Sequence, residues 1–174
     1  MKFITLLIAL SLPLLQSCSN PSIHSVKKDE IYALTQSSLI YVPRFEGNPS
    51  FVEESTDYFI NQLESKISNT IIQGSAIRAE SPDIRTGGNL APINLAFQDA
   101  KANKADILVL GKVTSHSTGG MMNGFSTIRV YNVKNKNKIA NFHQPSGLLF
   151  AYSEHQCVME AVENTANDFI GILK

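Results

Sequence analysis

The chain contains no tryptophan, only two cysteines, and no apolar run approaching the roughly 20 residues needed to span a bilayer as a helix. Two cysteines exclude a disulfide-stapled scaffold and a cysteine-rich zinc module. Charge is sparse at 17%, and 15 basic residues offset 15 acidic ones. The whole chain therefore carries no electrostatic footprint for nucleic acid. What remains is 43% hydrophobic over 174 residues. That composition argues against disorder and suits one globular domain.

The N-terminus is the most specific stretch. Lys2 precedes Phe3 to Leu12, then Pro13-Leu14-Leu15, a leader too short to cross a membrane as a structural helix. Leu15-Gln16-Ser17-Cys18 resembles a bacterial lipobox, with Gln16 departing from the commoner small or β-branched residue. The resemblance implies cleavage after residue 17, lipidation of the Cys18 sulfur and acylation of the new amino group. Two or three acyl chains hold a protein stably where one is marginal. Ser19, which stands where an inner-membrane lipoprotein of enterobacteria carries Asp, implies the outer membrane by the same resemblance. Residues 18–30 then read as the lipidated Cys and a flexible polar tether, and 31–174 as a single α/β domain.

Within that domain Leu39 to Phe45 reads as a strand that Pro43 confines to a strand end or edge. Ser50 and Glu53 have capping-box spacing, opening a helix to about Ser68 with Phe59, Leu63 and Ile67 on one face. Thr70 to Ala79 is a β-type run, residues 80–91 form a long loop, and Pro92 suits the first turn of a helix reaching about Asn103. Ile107 to Gly111 reads as a central strand buried on both faces. Gly119 to Gly124 reads as a hairpin tip. Phe125 to Val133 alternates, with Ser126, Ile128 and Val130 on one face and Thr127, Arg129 and Tyr131 on the other. A Lys/Asn turn and a returning strand from Ile139 to His143 follow. A second capping box at Ser153 opens the last helix, with Met159, Val162, Ala166, Phe169 and Leu173 as its apolar side. The expected fold is α/β (α+β), a single mixed sheet of about five strands covered by about three helices, in the order β-α-β-α-β-β-β-α.

Several segments carry a family resemblance over about residues 38–173. They are Val42-Pro43-Arg44-Phe45-Glu46-Gly47, Ile60-Asn61-Gln62-Leu63, Ala102 to Val113, and the hairpin of Ile128 to Val133 with its Lys/Asn turn. They resemble a set of bacterial envelope domains: the N-terminal domain of the Tol translocation protein, the curli secretion lipoprotein, the Pel export lipoprotein, and the lipoprotein activators of penicillin-binding proteins. The turn lacks the usual Asp-x-x-Gly chemistry of that set. The resemblance implies a fold and an envelope setting, and no catalytic residue can be carried over.

Chemical constellations are sparse. His116, His143 and His155 lack the spacing of a zinc site. Cys157, the thiol left free once Cys18 is acylated, is expected in the core. No Gly-x-Ser-x-Gly elbow or phosphate loop is present. We therefore expect no catalytic residue, no metal and no cofactor. Lys134, Lys136 and Lys138 form a basic tip, either solvated or in contact with anionic groups. Met121 and Met122, at a glycine-flanked tip, suit a partner contact. Two function classes remain open. One is an outer-membrane-anchored, non-enzymatic interaction or assembly module of an envelope secretion, export or cell-wall complex, with self-association open. The other is a small periplasmic ligand-binding lipoprotein or hydrolase using the 80–91 loop as a lid.

Overall fold

A computed structural model describes residues 23–31, 39–76, 90–118, 121–147 and 153–174. In chain order the elements are β1 (Ile23–Val26), a single helical turn α1 (Lys28–Ile31), β2 (Ile40–Val42), β3 (Glu46–Gly47) and α2 (Val52–Glu64). They continue with β4 (Ile71–Gln73), α3 (Leu90–Ala102), β5 (Ile107–Thr118), β6 (Met121–Asn132), β7 (Lys138–Pro145) and α4 (Glu154–Leu173). All strands join one open mixed sheet in the order β1-β7-β6-β5-β2-β4, with β3 pairing β5 beyond the end of β2.

The mixed sheet is the expected one, with seven strands where about five were expected. The added strands are short. β3 has two residues, and β1 comes from the segment expected to be tether. Ile23 to Val26 pair antiparallel with His143 to Ala140. Residues 23–26 of the expected 18–30 tether are therefore a strand on the β7 edge, and residues 18–22 lie outside the described residues.

β5 is central. It pairs with β6 along twelve residues, from Ile107 opposite Asn132 to Thr118 opposite Met121, and in parallel with β2 on its other side. Asp106 registers this junction. Its carboxylate accepts from Leu39 N at 3.0 Å, its own N–H donates to Leu39 O, and its carbonyl accepts from Val133 N. The expected alternation is observed. Ile107, Val109, Val113, Ile128, Val130 and Phe142 lie on one face, packed against Phe59 and Leu63 of α2 and Val158, Val162 and Phe169 of α4. Leu108 and Tyr131 point the other way, toward Phe97 and Ala100 of α3. Each fully buried large side chain contributes roughly 1.5–3 kcal/mol of transfer free energy.

Helix boundaries depart from expectation where local hydrogen bonds compete. Ser50 does not cap α2. Phe51 occupies the cap position without a side-chain bond. Ser50 N instead donates to Asn48 Oδ1, and Asn48 O accepts from Phe51 N and Val52 N. Glu53 turns away to Arg44 at 2.9 Å. At α4 the expected cap forms, with Ser153 Oγ accepting from Gln156 N. The buried side of α4 is wider than its large residues suggest, since Cys157, Ala161 and Thr165 are buried with them while Met159 and Leu173 sit at its margin. α3 ends through Lys104 at φ 57°, with Ala105 N donating to Ala100 O in a left-handed C-terminal cap.

Polar contacts tie α2 and the turn after it to α4 from outside, among them the pair His155–Glu54. Tyr58 Oη donates to Glu163 at 3.3 Å, and Lys66 Nζ to Asn167 at 2.9 Å. Partial burial and then the Glu163 charge push the Tyr58 phenol above its ordinary value.

β6 and α4 pack backbone against backbone at Gly124. A Cβ on Gly124 would lie 2.4 Å from the Cys157 carbonyl carbon and 2.5 Å from Val158 N, both backbone atoms. Gly124→Ala must therefore lift the start of α4, at a cost of about 1–3 kcal/mol. Gly171, on an exposed helical position, has nothing within 4 Å of its Cβ position. Gly171→Ala should stabilise by about 0.5–1 kcal/mol. Thermal unfolding followed by circular dichroism should show opposite shifts in Tm. Equal melting of the two variants would contradict the packing of α4 on β6.

Candidate interaction surface

The sequence placed partner contacts at two hairpin ends. At the first, Met121 and Met122 are the opening residues of β6, opposite Thr118 and Ser117 at the end of the β5–β6 hairpin. Strand pairing continues past the glycines because Gly124 lets β6 run flush beneath α4. Met122 remains exposed at 39%. Its backbone carbonyl accepts the buried Cys157 thiol at 3.4 Å, so Cys157 is in the core as expected.

The second end is a built turn. Asn132 Oδ1 accepts from Lys134 N and Asn135 N, and Asn135 Oδ1 accepts from Asn137 N. Lys136 supplies the left-handed residue at φ 60°. These bonds replace the missing Asp-x-x-Gly chemistry. Lys134, Lys136 and Lys138 are all exposed, and Lys136 Nζ lies 5.7 Å from the Phe97 ring centroid, so it is partly tied to α3. The two ends lie at opposite ends of β6 and cannot form one site.

The histidines are drawn into different contacts. His155 Nε2 pairs with Glu54 at 2.9 Å. His143 Nδ1 bonds Thr127 Oγ1 at 2.8 Å. His116 and His143 flank Phe125, at ring separations of 5.6 and 5.7 Å. Among the described residues no three His, Cys, Asp or Glu side chains converge on a metal position.

The structure adds a surface that sequence reading missed. α2 and α4 cover one face of the sheet, and α3 covers the other only near β2 and the start of β5. Among the described residues no helix covers the second face over β7, β6 and the end of β5. Register places Lys112 and His116 of β5, Phe125, Thr127 and Arg129 of β6, and His143 of β7 there together. Phe125 is half-buried between its two imidazoles, while Lys112, His116 and Arg129 are exposed. The strands β1, β5, β6 and β7 contain no Asp or Glu, and register sets Glu46 of β3 beside Lys112 at the rim of this face. That absence, combined with alternation, was the available signal. Acidic groups gather elsewhere, at Glu53, Glu54 and Asp57 of α2, beside an open depression of about 410 Å³.

Cys18, and the 80–91 loop up to residue 89, lie outside the described residues. Among the described residues no helix is long and apolar enough to cross a membrane.

No protein-family model matches the chain, and no curated protein matches it in sequence. Solved structures do match in shape. The PelC dodecamer from Paraburkholderia phytofirmans is 10% identical, covering 83% of this chain and 94% of that one, with a TM-score of 0.54. The LpoB C-terminal domain from Salmonella enterica is 12% identical, covering 69% and 94%, at 0.45. TolB from Acinetobacter baumannii is 14% identical, covering 80% of this chain and 29% of that one, at 0.47. This chain has the fold of PelC, and the expected likeness to an envelope-lipoprotein fold group is met at that level.

Met122→Ser should leave stability within about 0.5 kcal/mol of wild type, since its carbonyl and not its side chain holds Cys157. Asn132→Ala, which strips two turn N–H groups of their acceptor, should cost about 1 kcal/mol. Urea unfolding midpoints measure both. A larger loss for Met122→Ser than for Asn132→Ala would reverse the roles assigned to the two ends.

Proposed function

We propose that this protein is a lipid-anchored, periplasm-facing interaction module of the bacterial envelope that acts by binding rather than chemistry. The observation that carries the reading is the closeness of two features. The lipobox-like Leu15-Gln16-Ser17-Cys18 stands immediately before a sheet domain with the fold of PelC, and β1 begins at Ile23. A lipid anchor leading directly into a small folded domain suits a component that is held at a membrane and presents surfaces to other envelope proteins. The outer membrane, as Ser19 implies, is its place. The PelC structure is a dodecamer, which supports self-association as one of its modes.

The non-enzymatic reading is supported by how the candidate groups are engaged. His155 is paired with Glu54, His143 is bonded to Thr127, and the Cys157 thiol donates a hydrogen bond to the Met122 carbonyl. Each is committed to holding elements together, whereas an acid–base or nucleophilic group must be free to meet a substrate.

The test is metabolic labelling with a palmitate analogue in a bacterial host. The wild-type chain should incorporate label and lose residues 1–17, and Cys18→Ser should do neither. Label retained by Cys18→Ser would refute the anchor. Affinity purification of the detergent-extracted lipoprotein should then recover envelope proteins. A Met121→Ser/Met122→Ser variant and a triple His116→Ala/His143→Ala/His155→Ala variant, compared in complementation, separate binding from chemistry. Rescue by the methionine variant together with failure of a folded histidine variant would favour an enzyme.

A further inference from the structure

We infer that the crevice at the carboxyl ends of β2 and β4 is a receptor for a carboxylate group, held side-on by Arg44, with Glu53 as the stand-in that a ligand displaces. The site goes beyond the interaction-module reading and does not depend on the anchor, so its failure leaves that reading standing.

Topology opens the crevice. β2 and β4 are parallel neighbours, with Val42 opposite Gln73. After β2 the chain turns into α2, which packs through Phe59 and Leu63 on one face of the sheet. After β4 it returns through α3, which packs through Phe97 and Ala100 on the other. Adjacent parallel strands whose connections leave toward opposite faces part at their carboxyl ends, and open α/β sheets bind ligands there. A cavity of about 290 Å³ occupies this place. Arg44 follows β2, Glu53 and Thr56 belong to α2, and Gln73, Gly74 and Ser75 close the far side. The volume is at the lower end of small-molecule sites.

Thr56 and Gln73 are already engaged. Thr56 Oγ1 accepts from Phe45 N and donates to Val52 O, and Gln73 Nε2 donates to Asp57 at 2.7 Å. Arg44 is engaged on half of one edge. Its Nη2 donates to Glu53 Oε2 at 2.9 Å, while its Nε is buried without a partner. Nε and Nη2 share an edge of the guanidinium and are spaced to grip both oxygens of one carboxylate. Glu53 fills half of that grip and leaves a buried donor of a charged group unpaired, which is costly. The Glu53 side chain is 75% exposed, so the pair is screened by water and weakly held. A ligand carboxylate that takes both nitrogens gains the missing bond, and Glu53 moves into solvent at small cost. Glu53 is also the negative charge that such a ligand meets first, so it limits the affinity.

The Arg44 Nε–H resonance reports the site directly, because the chain has only four arginines and Arg44→Lys identifies its signal. The isotope-labelled full chain is titrated with N-acetylalanine, whose carboxylate is free, and with its N-methylamide, whose carboxylate is blocked. The acid should move the signal and the amide should not. Arg44→Lys, which keeps the charge and loses the fork, should weaken binding about 10- to 100-fold. Glu53→Gln should tighten it several-fold. Acetyl-trialanine with a free C-terminus separates two sources of the same chemistry. Tighter binding than N-acetylalanine assigns the site to the C-terminus of a peptide chain, and equal binding assigns it to a small-molecule carboxylate. A signal unmoved by millimolar acid, or moved equally by the amide, overturns the inference. Sulfate moving it as far at the same ionic strength overturns the choice of a carboxylate. Weaker binding by Glu53→Gln overturns the role of Glu53 as a stand-in. Glu53 is exposed on α2, so this variant keeps the test decisive should Arg44→Lys fail to fold.

Discussion

Strand β5 is held between β6 and β2 and buried on both faces at Ile107, Leu108 and Val109, and the other layers take their positions from it. A strand with two apolar faces needs cover on both sides. The larger cover, α2 and α4, closes over Val109, Val113, Ile128 and Phe142. The smaller, α3, closes over Leu108 and Tyr131. The asymmetry follows from the strand itself, because its second face turns polar at Lys112 and again at Thr114 and His116. Helical cover beyond that point would bury charge without a partner, which is costly.

The same economy explains the small residues between β6 and α4. Gly124 admits the Cys157 backbone, and Ser126 meets Thr165. Thr165 Oγ1 donates to Val162 O at 2.9 Å, which leaves Ser126 as the donor in their 2.8 Å contact. Both buried hydroxyls are thereby satisfied, and the pair specifies the register of the helix on the sheet rather than adding much net stability.

Net neutrality hides a division of charge. Lys112 and Arg129 stand on the open sheet face with Glu46 of β3 beside Lys112, three lysines stand on the β6–β7 turn and its edge, and Glu53, Glu54 and Asp57 line the outside of α2 with Arg44 paired to Glu53. The fold is shared with PelC at 10% identity.

Periodicity alone determined the order of helices and long strands, the two-sided burial of β5, the inward set Ser126, Ile128 and Val130, and the core position of Cys157. These are local or single-element properties, written in the spacing of apolar residues. Tertiary structure decided the rest. Ile23 to Val26 became a strand because β7 offered an unpaired edge, which no pattern within the segment could announce. Ser50 lost its capping role because Asn48 and Arg44 competed for the same donors and for Glu53. Met121 and Met122 joined β6 because a close helix contact at Gly124 carried the hairpin further. The aromatic row of His116, Phe125 and His143 exists only through register, since three strands must be aligned before their side chains share a face.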